Sequence, residues 1–178
     1  PMNAEAVARI FAVKRRAPEK PVLILIADPR DVGRFAVDLP EGARRLIEAF
    51  WPGPLTLVLK TVPAFPSLLH AGTGRIGIRC PDLPLARDLA RAAGGAITAT
   101  SANVSGRGPI DTADEVAAQL GDEIDLLLDA GRLPGTKEST VLSVEPGTMR
   151  VEREGPISEQ QIRTAVAGIA TVEKRRDD

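Results

Sequence analysis

The sequence has 178 residues, of which 43% are hydrophobic and 26% charged, with a formal net charge of −1. This length suits one domain with a single core, and the near-neutral charge excludes a strongly basic protein of the kind that coats nucleic acid. One Cys and one His exclude a disulfide framework and a Cys/His zinc cluster. No apolar run reaches the ~18 residues of a membrane span, so we expect a cytoplasmic enzyme or binding domain.

The first half of the chain alternates helices with strands. Asn3 is a good helix N-cap, and the helix that follows should end before Pro18. The unbroken apolar run at residues 22–27 predicts a strand covered on both faces. Further on, the pattern predicts a helix around residues 40–50 and strands over 55–59 and 75–80.

In the second half, predicted strands cluster toward the C-terminus. The elements expected here are a helix over 85–93, a strand over 96–100, a helix opened by the capping box at Thr112 and ended by Gly121, strands over 124–129, 139–144 and 149–153, and a last helix capped at Ser158. The order predicts an α/β domain with a mixed sheet. We place this domain at residues 1–170 and expect a charged, frayed tail at 171–178.

Three polar clusters lie where these elements end, which is where sites form in open α/β sheets. Residues 14–20 are rich in Lys and Arg; they fit either a helix C-terminus that complements its dipole or a phosphate clamp. Residues 98–106 fit either a surface turn or a nucleotide-binding loop. Residues 135–141, with 153–155 after them, fit either a solvated loop or a site for a small polar substrate. Each cluster alone leaves both interpretations open.

Taken in order, these segments resemble the YrdC-like family of threonylcarbamoyl-AMP synthases. The matching motifs are Lys14-x-Arg16 with Lys20-Pro21, Trp51–Thr56, Gly77–Pro81, Ser101–Gly106, Ser139-Thr140-Val141 and Arg153–Ile157. The resemblance implies a single domain with a twisted, mixed parallel and antiparallel open sheet, flanked by helices, around a positively lined cavity. It also implies that L-threonine, bicarbonate and ATP are converted to threonylcarbamoyl-AMP and pyrophosphate, for the threonylcarbamoyladenosine modification of tRNA.

The resemblance assigns roles to individual residues. Lys14 and Arg16 would be catalytic; Arg16, Lys20, Ser101, Asn103 and Arg153 would bind ATP; Arg79, Ala99 and Ser139 would bind threonine. No protein metal site is implied, and Mg²⁺ would accompany ATP. A separate complex would transfer the threonylcarbamoyl group to tRNA, so contact with tRNA would be indirect.

The chain departs from the family pattern in two ways. The family's opening strand, with its Pro-Thr-x-Thr-x-Tyr-Gly-Leu motif, would precede Pro1, so we expect an incomplete N-terminus and an uncovered sheet edge. Leu25 stands where the long form of the family often has His, which favours the single-domain form. Two alternatives stay open: a non-catalytic RNA-binding or ribosome-maturation module of the same fold, and a carbamoyl-transfer domain.

Overall fold

The computed structural model describes residues 1–108, 110–132 and 137–174. The described helices are α1 (Ala4–Lys14), α2 (Glu41–Phe50), α3 (Pro84–Ala92), α4 (Ala113–Leu120) and α5 (Glu159–Ala165). The described strands are β1 (Leu23–Ile26), β2 (Leu55–Lys60), β3 (Arg75–Arg79), β4 (Ala96–Ala99), β5 (Thr140–Glu145), β6 (Thr148–Arg153) and β7 (Thr171–Lys174). None of these helices is long and apolar enough to span a bilayer.

The strands form one sheet in the order β4-β1-β3-β2-β5-β6-β7. The pairs β1–β3, β2–β5 and β6–β7 are parallel, whereas β1–β4, β2–β3 and β5–β6 are antiparallel. The predicted α/β fold class with a mixed sheet is therefore confirmed.

The sheet has one covered face and one open face. The covered face carries the apolar core, which includes Ile24, Ile78 and Leu57, each fully buried. Helix α2 lies so close to this face that a Cβ on Gly42 would fall 2.3 Å from Met149 Cε. Because side chains alternate along a strand, the residues between the core positions point to the other face, where they border a cavity.

Local capping explains where two helices begin. The Asn3 side chain accepts a hydrogen bond of 3.0 Å from the backbone N–H of Ala6 at the start of α1. At α5, the side chain of Ser158 accepts from the backbone of Gln161, and Gln161 accepts in return from the Ser158 backbone. Both caps were predicted from sequence, and both satisfy N–H groups that a helix leaves unpaired.

The predicted strand at residues 124–129 is wrong. This segment forms no ladder, and Leu126 is 73% exposed. A strand needs a neighbour to pair its backbone groups. Here the segment is separated from β4, the end strand of the sheet, by a cavity of about 850 Å³ that both Ala99 and Leu126 line.

Two other expectations differ from the structure. The run at 22–27 is not covered on both faces, because burial alternates along β1 and leaves Leu23 and Leu25 only half-buried on the open face. The segment expected as a tail begins as β7, which pairs in parallel with β6. The structure does not describe residues 109, 133–136 and 175–178. The start of the predicted polar cluster at 135–141 and the last four residues of the predicted tail therefore lie outside the described residues.

Candidate active site

Lys14, at the end of α1, is a buried cation that binds a loop. It is 4% exposed, and its ammonium donates to the backbone carbonyls of Ser101 and Asn103 and, at 3.2 Å, to Asn103 Oδ1. An ammonium has three N–H donors, so these contacts use all of them. Burial, followed by the nearby charge of Arg16, lowers the Lys14 pKa.

The loop after β4 is folded upon itself. Ser101 Oγ donates to Asn103 Oδ1 at 2.6 Å, and Asn103 Nδ2 donates to the carbonyls of Arg107 and Gly108 at 2.6 and 3.0 Å. Asn103 is buried, whereas Ser101 is exposed. The structure thus brings together Lys14, Ser101 and Asn103, which we call the loop group.

Arg16 closes the turn that follows α1. Its Nε donates to the carbonyl of Lys20 at 3.0 Å, and its Nη2 donates to that of Pro21 at 2.7 Å. Burial lowers the Arg16 pKa, while Lys20 is exposed. The two predicted phosphate-binding cations therefore share one turn, in which Arg16 also holds the backbone.

The Trp-Pro-Gly-Pro segment positions Arg79 at the end of β3. Trp51 Nε1 donates to the carbonyl of Leu55 at 2.7 Å, across a cis peptide bond to Pro52. Gly53 accepts a 2.9 Å hydrogen bond from Arg79 Nε. Burial, followed by the charge of Arg153, lowers the Arg79 pKa.

Ser139 lies between β2 and Arg153. Its Oγ is 2.8 Å from the hydroxyl oxygen of Thr56. Its carbonyl accepts from Arg153 Nε and Nη2 at 3.1 and 3.0 Å, and Arg153 Nη2 also lies 3.4 Å from Ser139 Oγ. Arg153 forms a further ion pair with Glu138. We call Thr56, Arg79, Ser139 and Arg153 the strand group.

A close backbone approach holds this arrangement. A Cβ on Gly155 would fall 2.3 Å from both the carbonyl oxygen of Glu138 and the nitrogen of Thr140, so only glycine fits here. The Thr140 hydroxyl accepts from the backbone N–H of Gly155 at 2.9 Å and donates to the carbonyl of Ile157 at 2.6 Å. The end of β6 is therefore fixed against the start of β5.

Two members of the strand group, Thr56 and Arg153, line a cavity of about 620 Å³ over the open face of the sheet, together with Pro21, Leu23, Gly77 and Val141 among others. Val141 pairs with both Thr56 and Arg153, so these three stand in one row. Ala99 pairs with Leu23 in the next part of the sheet. The predicted residues thus form two groups, with no hydrogen bond between them among the described residues.

Sequence reasoning missed the roles of Thr56, Thr140 and Gly155. All three lie in the motifs quoted above, yet no role was assigned to them. For Thr56 a signal existed, because it is a polar residue within an otherwise apolar strand and alternates with Leu55 and Leu57 onto the opposite face. The close approach at Gly155 depends on packing between segments and leaves no local signal.

Comparison with known proteins shows the family. The Sua5/YciO/YrdC family model, described as telomere recombination, matches residues 1–155. The threonylcarbamoyl-AMP synthase of Halorhodospira halophila is 37% identical over 140 residues, covering 79% of this chain and 73% of that protein. The threonylcarbamoyl-AMP synthase of Bacillus subtilis is 38% identical over 177 residues, covering 99% and 51%.

A solved structure also resembles this chain. The crystal structure of Pyrococcus abyssi Sua5 complexed with L-threonine superposes with a TM-score of 0.87 at 31% identity, covering 96% of this chain and 50% of that one. This chain therefore spans about half the length of the Bacillus and Pyrococcus proteins. With the family model matching from the first residue through the end of β6, the chain belongs to the Sua5/YciO/YrdC family, as its motifs predicted.

Proposed function

We propose that this chain is a threonylcarbamoyl-AMP synthase, a nucleotidyltransferase that forms threonylcarbamoyl-AMP and pyrophosphate from L-threonine, bicarbonate and ATP. The names of its relatives support this reaction and the enzyme class, and a family structure holds L-threonine. ATP is the nucleotide substrate that this reaction uses.

One observation carries the proposal: the site contains cations that have no carboxylate partner. Among the described residues, Lys14, Arg16 and Arg79 form no ion pair, although most arginines elsewhere in the chain do. Arg79 and Arg153 also lie close enough for their charges to repel. Like charges held together in a partly buried site favour an anionic ligand, and both ATP and the threonine carboxylate supply one.

We assign the residues as follows. Arg16 and Lys20 bind the ATP phosphates, Ser101 and Asn103 hold the nucleotide, and Arg153 closes over it. Arg79 and Ser139 contact threonine, with the Ala99 backbone beside them. Pro21 and Arg153 line the same cavity, which supports placing the phosphate-binding turn opposite the strand group.

The chemistry needs no covalent protein intermediate. The amine of threonine adds to bicarbonate and, with loss of water, gives a carbamate. A carbamate oxygen attacks the α-phosphorus of ATP, and the bond to the β-phosphate oxygen breaks to release pyrophosphate. Negative charge develops on the phosphate oxygens, and Arg16, Lys20 and Arg153 stabilise it.

Mg²⁺ would enter as part of the substrate, bound to the phosphates of ATP. The described residues contain no group of three or more His, Cys, Asp or Glu side chains that could hold a metal ion. Mg²⁺ is commonly bound through substrate phosphates and water rather than by an all-protein cage, so this proposal assigns it no protein ligand.

The product is a reactive mixed anhydride, so a partner must consume it. We propose that a threonylcarbamoyl-transfer complex passes the group to tRNA and that the reaction takes place in the cytoplasm, where ATP and tRNA are found. This chain would then contact tRNA only indirectly, in keeping with its net charge of −1.

The test is pyrophosphate release from ATP with and without L-threonine and bicarbonate. We expect release that needs both, and a loss of at least tenfold for Arg16→Ala, Ser101→Ala and Arg153→Ala. Arg163→Ala is the matched control, because Arg163 is paired with Glu159 on α5 and lies outside the motifs. Full activity in all three site variants would overturn the residue assignment. A folded protein that releases no pyrophosphate would favour the RNA-binding module instead, which salt-dependent RNA binding would reveal.

A further inference from the structure

Thr56 is buried in the strand group, yet the roles described above do not use it. It is 1% exposed, and Ser139 is 6% exposed. Their hydroxyl oxygens are 2.8 Å apart, and either one could donate the hydrogen bond. The direction of this bond matters, because it decides what the Ser139 hydroxyl can offer to a ligand.

The two directions of this bond leave different protons without a protein acceptor. Among the described residues, Ser139 Oγ is the only hydrogen-bond partner of the Thr56 hydroxyl. If Ser139 donated to Thr56, the Thr56 proton would be buried without an acceptor, which costs free energy. If Thr56 donates to Ser139, the proton left over belongs to Ser139, which is the less buried of the two and is the residue that the proposed function places against threonine.

Arg153 adds a second constraint on Ser139. A serine hydroxyl has one donor and two acceptor positions. Arg153 Nη2, at 3.4 Å, approaches Ser139 Oγ as a donor, and Thr56 supplies the other hydrogen bond. With both acceptor positions used, only the proton of Ser139 remains for a ligand. The guanidinium of Arg153, which also donates to the Ser139 carbonyl, makes an anionic oxygen the natural acceptor.

We propose that Thr56 is a positioning residue: its hydroxyl donates to Ser139 Oγ and directs the Ser139 proton toward an anionic oxygen of the amino-acid substrate. This inference rests on the proposed function, because that function assigns Ser139 to threonine. Thr56 acts on threonine binding through Ser139 and leaves ATP binding unchanged.

The experiment is a double-mutant cycle of Thr56→Val and Ser139→Ala, measured by pyrophosphate release with L-threonine and ATP varied in turn. Valine keeps the shape and strand preference of threonine but lacks the hydroxyl. We expect Thr56→Val to raise KM for L-threonine about tenfold, the loss of roughly one hydrogen bond, and to leave KM for ATP within about twofold. Thr56→Ser retains the donor and should restore KM for L-threonine to within about threefold of the wild type.

The cycle separates positioning from packing. If Thr56 acts through Ser139, then Thr56→Val has no further effect on KM for L-threonine in the Ser139→Ala background. An unchanged KM in the single variant, or the same rise in both backgrounds, would overturn the role of Thr56 while leaving the proposed function intact. Wild-type release that does not need L-threonine would overturn the proposed function and this inference together. Thermal unfolding of each variant confirms that the folded protein is being compared.

Discussion

The two halves of the candidate site are organised by different forces. In the loop group, one buried ammonium holds two carbonyls and a side-chain oxygen. In the strand group, the frame is the sheet itself: Val141 pairs with Thr56 on one side and Arg153 on the other. Neighbouring strands keep a fixed spacing, so the strand group is set by backbone register, whereas the loop group is held by side-chain hydrogen bonds from Lys14 and Asn103.

This difference implies different consequences of damage. Removing a side chain from the strand group leaves the backbone of the sheet in place and changes only the side-chain groups that a ligand can contact. Removing Lys14 takes away the interaction that shapes the loop. Substitutions that displace the backbone of the sheet should lower the free energy of unfolding the most, because they disturb the sheet as well as the site.

Gly155→Ala is the strongest test of the backbone packing that supports the strand group. The new Cβ would lie 2.3 Å from backbone atoms of Glu138 and Thr140, and backbone cannot move aside as a flexible side chain can. We expect a loss of about 3 kcal/mol in the free energy of unfolding, measured by urea denaturation, together with loss of pyrophosphate release. Gly33→Ala is the control, since nothing lies within 4 Å of its added Cβ. Equal stability of the two variants would contradict the close approach.

Lys14→Met is the corresponding test of the loop group. Methionine keeps much of the length of the side chain but leaves the carbonyls of Ser101 and Asn103 without this donor. We expect a loss of about 2 kcal/mol in the free energy of unfolding and faster hydrogen exchange in residues 101–107, with β2 and β5 unchanged. The measurement is hydrogen exchange read by mass spectrometry. Faster exchange that includes β5 would show that the two groups are not independent.

The two groups also differ in how much of their structure the sequence predicts. The strands that carry the site, β2, β3, β5 and β6, were predicted close to their observed bounds, and for β3 the alternation of Arg and Ile was the signal. The motifs placed Arg79, Ser139 and Arg153 among the site candidates. The sequence could not show that Lys14 donates to a loop nearly ninety residues away. It could not show either that Gly155 lies against the backbone of Glu138 and Thr140, because both contacts depend on long-range packing. The error at 124–129 has the same origin, since an apolar run pairs only where a neighbouring strand is present.

Arg9→Ala should have the smallest effect and sharpens the comparison from within α1. Like Lys14, Arg9 is a cation on this helix, but it is exposed and pairs with Asp125, which is more exposed still. Surface ion pairs contribute little, because both partners lose hydration and side-chain freedom when they meet. We therefore expect no resolvable change in Tm or in pyrophosphate release. A destabilisation comparable to that of Lys14→Met would mean that charged side chains of α1 stabilise the protein in general. It would contradict a special role for the buried ammonium of Lys14 in the loop group.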